Sequence, residues 1–241
     1  MAIIDSQLVL DMPKRLTANG GIDAITHAIE SYVSICATDF TFGYSRDAIQ
    51  ILFKYLPDAY LKGNEDPIAR EHVHNASTMA GIAFGNAFLG ICHSLAHKLG
   101  SQFDVDHGTA NAAFLPHVIA YNATDAPFKM ATFPQYEYPQ SKKRYAEIAT
   151  FLKLNGSTED EKVASLIKEI ENMKRTLDIP DSIEKILGKE RKDEYFAAIP
   201  YMADMAFDDQ CTSSNPRYPL IKDLEKILSD AWYGPPSGYS S

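Results

Sequence analysis

Residues 20–32 read GGIDAITHAIESY, and residues 90–108 read GICHSLAHKLGSQFDVDHG. In the first stretch Ile22, Ile25 and Ile29 recur at spacings of three and four, the period of a helix with one buried stripe. Asp23 and His27, four apart, then share a helix face and can meet one ion without distorting the backbone. His93 and His97 repeat that spacing in the second stretch. Gly100 is read as the C-terminal cap of this second helix, after which the chain carries His107 back towards the same place. Spacing alone does not choose between His93 and His97 as the partner of Asp23, His27 and His107.

The helical period continues along the chain, through 22–35, 44–62, 67–90, 108–122, 142–153, 158–176, 191–206 and 219–232. Alternating patterns of half-buried strands are nearly absent, so the expected class is all-α, a bundle-like helical domain. Breaks are expected at Pro13, Gly20–Gly21, Gly63–Asn64, 127–139, Asn155–Gly156, Pro180 and Asn215–Pro216. Residues 128–140, rich in proline and aromatics, are the expected long loop. Interleaved charges over 142–176 and 181–194 read as solvated outer faces. The metal-ligating motifs therefore belong on buried helices of the more apolar first half.

At 241 residues the chain can bury a sizeable core. A net charge of −9 argues against nucleic acid or an anionic membrane as partner, and no apolar run reaches the ~18–20 residues of a spanning helix. Cys36, Cys92 and Cys211 are odd in number and widely spaced, which reads as reduced thiols in a cytoplasmic setting. His72 and His74, two apart, fall on different helix faces and read as structural or solvated. His117, in FLPHVIAYN, has no ligand-type neighbour at helical spacing and is read as a non-ligand. The cluster of donors admits three functions: a metal-dependent dehydrogenase, a metal-dependent hydrolase, or a non-catalytic oligomerisation domain in which histidines staple the fold.

Three motifs, in order, make the first the leading one: MAIIDSQLVLDMPKRLTANGGIDAITHAIESYVS, AGIAFGNAFLGICHSLAHKLGSQFDVDHGTANAAFLPHVIAYNA and FDDQCTSSNPRYPL. Together they closely resemble the iron-dependent alcohol dehydrogenases, above all the alcohol dehydrogenase half of the bifunctional aldehyde–alcohol dehydrogenases of fermentative organisms. The resemblance implies a C-terminal helical domain of the dehydroquinate synthase-like type over residues 1–241, with Asp23, His27, His93 and His107 holding Fe(II) and His97 beside the substrate. It also implies that Phe84 and Cys211 lie near the nicotinamide or substrate. Asp106 departs from the pattern, standing where members of the resembled family usually have proline; a carboxylate there could bond a ligand ring or face water.

No G-x-G-x-x-G and no Gly-Gly-Gly-Ser type loop is present to cradle a pyrophosphate. In the resembled family the nucleotide-binding domain precedes the matching segment, so NAD is expected to be bound through an upstream domain outside this chain, which by itself is expected to be nearly inactive. The implied substrates are short primary alcohols such as ethanol and aldehydes such as acetaldehyde, and the implied full-length protein is a homo-oligomer. Iron, too, is an implication of the resemblance, since mixed nitrogen and oxygen donors also suit zinc; related zinc-dependent folds use fewer histidines, and zinc is expected to substitute in recombinant protein.

Overall fold

The computed structural model describes residues 3–123 and 140–238. Among them are ten α-helices and no strand element: α1 (Lys14–Val33), α2 (Asp39–Lys62), α3 (Pro67–Ala87), α4 (Ile91–Phe103), α5 (His107–Asn122), α6 (Ser141–Phe151), α7 (Glu159–Thr176), α8 (Ile183–Leu187), α9 (Lys192–Phe207) and α10 (Ile221–Ala231). The all-α class thus holds. Most of the expected loop at 128–140 lies outside the described residues.

Helix α1 is the hub, packed by α2, α3 and α5. It starts after Pro13 and buries nearly every residue from Thr17 to Val33. The expected break at Gly20–Gly21 does not occur, because the helix runs straight through. Glycine there serves packing: a Cβ on Gly21 would lie 2.2 Å from Leu56 Cδ1 of α2, so the missing side chain lets the two helices close. Polar groups on this buried helix are paired, as where Ser31 and Ser45 hydroxyls join α1 to α2 at 2.9 Å.

Two sharp turns place the rest of the site. After α3 the chain reverses through Phe88, at φ 58°, and Gly90, and enters α4 bent by 107°. No single helix among the described residues is long and apolar enough to cross a membrane. Helix α4 does not end at Gly100 as the glycine suggests. It continues to Phe103, and Asp104 takes the left-handed cap at φ 56°, its N–H donating to Gly100 O at 2.9 Å. An aspartate can accept this conformation locally, and Gly100 instead lies close under the returning chain, where a Cβ would sit 3.2 Å from Val105 O.

That return ends in a close backbone approach. A Cβ on Gly108 would lie 2.1 Å from the carbonyl oxygen of Asn19, so only glycine lets the start of α5 rest on α1 one turn before Asp23. His107, the first residue of α5, is thereby set opposite Asp23. Elsewhere the reading of charged faces needs correction. On α7, Lys174 and Glu171 are both buried and bonded to each other at 2.8 Å, a pair satisfied inside the bundle, and α8, hidden in a charged segment, starts from the Ser182 side chain accepting the Lys185 N–H. His117 is buried, its Nε2 donating to Gly234 O at 2.9 Å, and serves to tie α5 to the chain after α10.

Candidate metal centre and adjoining cleft

Helices α1, α4 and α5 bring Asp23, His27, His93 and His107 together, with one donor atom from each lying within 4.8 Å of all the others. Asp23 Oδ1 is 3.6 Å from His93 Nε2 and 3.3 Å from His107 Nε2, and Asp23 Oδ2 is 3.6 Å from His27 Nδ1. A tetrahedral ion with bonds near 2.1 Å sets its donors about 3.4 Å apart, so the spacing fits one first-row divalent ion. The lone pairs converge on a point at which the Asn111 side chain sits. Its Nδ2 donates to Asp23 Oδ1 at 2.7 Å and is 3.2 Å from both His93 Nε2 and His107 Nε2. A cluster of acceptors sharing one amide donor is chemically what a cation would satisfy better.

Glu30, which sequence reading passed over, is the most consequential neighbour. It lies three residues past His27 on α1 and is buried. Its Oε2 meets His93 Nδ1 at 2.6 Å while Oε1 accepts the Cys92 N–H at 2.8 Å. A carboxylate on Nδ1 fixes the tautomer that leaves Nε2 facing Asp23, and raises the basicity of that nitrogen. Gly90 makes room for it, since a Cβ there would be 2.7 Å from Glu30 Oε1. Counting Asp23 alone leaves a divalent ion with one net positive charge; with Glu30 the centre becomes formally neutral.

Electrostatics within the cluster are coupled. Burial pushes His27 down to about 4, against the pull of Asp23. Burial also opposes protonation of His93, but hydrogen bonds to Asp23 and Glu30 overcome it and raise this imidazole to about 9. Asp23 is lowered despite its burial, by the His93 hydrogen bond and the surrounding imidazoles. A metal ion needs the neutral imidazole of His93, so its binding competes with protonation there.

His97, one turn along α4 from His93, is not directed at the four donors. Its Nδ1 bonds Asp209 Oδ2 at 3.0 Å, and its ring stacks on His107 at 5.4 Å between centroids. Lys98 Nζ lies 2.9 Å from the same Asp209 oxygen, and the Cys211 N–H donates to Asp209 Oδ1 at 3.0 Å. Burial would raise Asp209, but these three partners hold it well below the usual carboxylate range. Asp209 was not singled out from the sequence, where DDQC offered no spacing to His97.

Phe84 and Cys211 come together. Both line a cleft of about 400 Å³ with Cys36, Phe88, Leu89 and Gln210, and Phe84 stacks on His27 at 4.3 Å between centroids. Burial and the Asp209 carboxylate push the Cys211 thiol up to about 12, so it stays protonated. The remaining histidines stay outside the cluster: His72 stacks on Tyr55 at 4.1 Å, and His74 lines a separate pocket with Gly20 and Arg70. Asp106 pairs with Arg15 of α1, an exposed bridge, and makes no bond to a ligand ring. All three cysteines are free.

An all-helical domain in which one aspartate and three histidines from three helices converge beside a cleft of about 400 Å³ has the donor set of a helical metal-binding domain. Residues 17–232 match the Fe-containing alcohol dehydrogenase family, C-terminal, and the chain belongs to that family. It is 51% identical over 97% of its length to the bifunctional aldehyde-alcohol dehydrogenase AdhE of Escherichia coli (strain K12), and 46% identical over 94% to the aldehyde-alcohol dehydrogenase of Clostridium acetobutylicum. In each case it spans 26% of the relative's length. Among solved structures, the alcohol dehydrogenase from Oenococcus oeni superposes with a TM-score of 0.82 at 32% identity, covering 95% of this chain and 54% of that one. The iron-containing alcohol dehydrogenase from Thermococcus thioreducens gives 0.81 at 31%, covering 97% and 55%.

Proposed function

We propose that this chain supplies the metal and substrate side of an NAD-dependent alcohol dehydrogenase that interconverts short primary alcohols and aldehydes in fermentation. The observation that carries the reading is the convergence of Asp23, His27, His93 and His107 on one point beside the cleft, in a chain of this family. These four side chains hold the ion, Fe(II) in our reading, with Glu30 orienting His93. The chemistry an ion supplies in such a site is Lewis acidity towards an alcohol or carbonyl oxygen.

The other residues follow from their positions. His97 donates its Nδ1–H to Asp209, which leaves Nε2 as the basic atom of a ring stacked on His107, suited to take the alcohol proton or return it to the product of aldehyde reduction. Phe84 and Leu89 wall the cleft with apolar surface that excludes water where hydride passes. Its volume falls in the range of small-molecule sites, ~300–1,000 Å³, which accommodates a nicotinamide ring and a short alcohol. Cys211 contributes a neutral thiol wall. The phosphates of NAD are held by a domain upstream of this segment, the full-length protein is a homo-oligomer, and the setting is cytoplasmic.

The test replaces the corresponding segment of the Escherichia coli relative with this chain and follows NADH consumption by acetaldehyde. Turnover that Asp23→Ala reduces at least 100-fold is expected. A folded, iron-loaded chimera without NADH consumption would contradict the reading, and ester hydrolysis in its place would favour a metal-dependent hydrolase.

A further inference from the structure

A second group of donors stands next to the first. His97, Asp209 and Cys211 each offer one ligand atom, and these three atoms lie within 4.8 Å of one another. They come from two separate parts of the chain, α4 and the turn after α9, and no residue is shared with the group of Asp23. The two groups touch through the stacked rings of His97 and His107. From the geometry we propose that His97, Asp209 and Cys211 form a second metal site, selective for a thiophilic divalent ion, Zn²⁺ foremost.

The donor set carries the selectivity. Nitrogen, carboxylate oxygen and sulfur together match zinc, whose open sites take three protein ligands and leave a fourth position free. A thiolate among them favours Zn²⁺ over Fe²⁺, because soft sulfur adds to an order in which iron already binds more weakly. The first group has no sulfur, so the two sites differ in preference. Tetrahedral zinc needs its donors about 3.3–3.8 Å apart, and side-chain rotations of about an ångström bring these three to that spacing. The free fourth position faces the cleft that Cys211 lines.

Lys98 sets the strength of this site. Its Nζ is bonded to the Asp209 oxygen that also meets His97, so an incoming ion must open that ion pair. Binding also releases the Cys211 thiol proton to solvent and turns the His97 ring so that a nitrogen faces the ion. These costs place the second site below the first in affinity. Occupancy has a consequence that rests on the dehydrogenase reading: an ion here withdraws His97 from proton transfer and fills the wall of the cleft, so the second site is inhibitory. The binding itself does not depend on that reading.

The experiment strips the chain of metal and titrates it with Zn²⁺ against a chromophoric chelator, then with Co²⁺ followed by absorption. Two ions per chain are expected, the second at least tenfold weaker, and Co²⁺ in the second site should show a thiolate charge-transfer band in the near ultraviolet. Cys211→Ser and Asp209→Asn should each lose the second ion and keep the first, whereas His27→Ala should lose the first and keep the cobalt–thiolate band. Lys98→Met should tighten the second ion about tenfold by removing the competing charged hydrogen bond. A single zinc per wild-type chain with no cobalt–thiolate band overturns the proposal without recourse to any variant. So does a second ion that persists in both Cys211→Ser and Asp209→Asn.

Discussion

Glu30→Gln is nearly isosteric, yet it should weaken metal binding sharply, and the structure gives the size of the effect. The two carboxylate oxygens of Glu30 both face donors, the Cys92 N–H at 2.8 Å and His93 Nδ1 at 2.6 Å. A glutamine has one acceptor for these two positions. If its oxygen stays on the Cys92 N–H, its NH₂ faces His93 Nδ1 and forces the proton onto Nε2, the atom that points at Asp23. If its oxygen faces His93 instead, the NH₂ opposes the Cys92 N–H in a buried place. The variant also removes the second of the two negative charges that neutralise a divalent ion. Outer partners of this kind are worth roughly 10–100-fold in affinity, about 1.4–2.7 kcal/mol. Competition with a chelator at pH 7.5 on wild type and variant measures the ratio, with circular dichroism of the stripped proteins to show that both fold. A dissociation constant within twofold of wild type would refute the role assigned to Glu30.

Other expectations follow from the same geometry. Gly108→Ala places a methyl against the Asn19 backbone, 2.1 Å from its carbonyl oxygen; overpacking against backbone should cost about 3 kcal/mol, read as a lower urea midpoint, with metal content falling as α5 is pushed from α1. His117 is neutral in the fold, pushed down to about 4 from an ordinary 6.5 mainly by burial. Since the unfolded chain binds the proton first as pH falls, stability at this site is constant above 6.5 and is lost progressively from 6.5 to 4, by about 3 kcal/mol in all; His117→Gln should flatten the pH dependence of the urea midpoint in that window. Thiol titration of the denatured, unreduced chain should find three free groups, matching three free cysteines, and only one would mean an intramolecular bridge.

How far the site can be read in the sequence depends on whether spacing encodes it. Asp23 with His27, and His93 with His97, were visible because a helix puts positions four apart on one face. Choosing His93 over His97 was not possible from that pattern, and the reason is now physical: Glu30 holds His93 towards Asp23, while Asp209 draws His97 aside. Glu30 and Asn111 also obey helical spacing, three past His27 and four past His107, but an acid and an amide on helices are too common to stand out. Asp209 lies 112 residues from His97, and no local pattern links them. In the fold, the longer helices were legible from their period and the short α8 was not, whereas Gly20, Gly21 and Gly100 misled because glycine was read as punctuation. All three lie inside helices, and Gly21 and Gly100 are points of close approach. The buried Lys174–Glu171 pair was missed for a related reason, since charge pattern does not reveal which charges find a partner inside.

The arrangement of Asp23, His27, His93 and His107 around one iron is tested most directly by anomalous scattering. Crystals of the chain loaded anaerobically with Fe(II) alone, measured on both sides of the iron absorption edge, should show one strong peak about 2.1 Å from an Asp23 oxygen and from one ring nitrogen of each histidine, with Asn111 turned away. An iron peak elsewhere, or none at full loading by elemental analysis, would contradict the assignment.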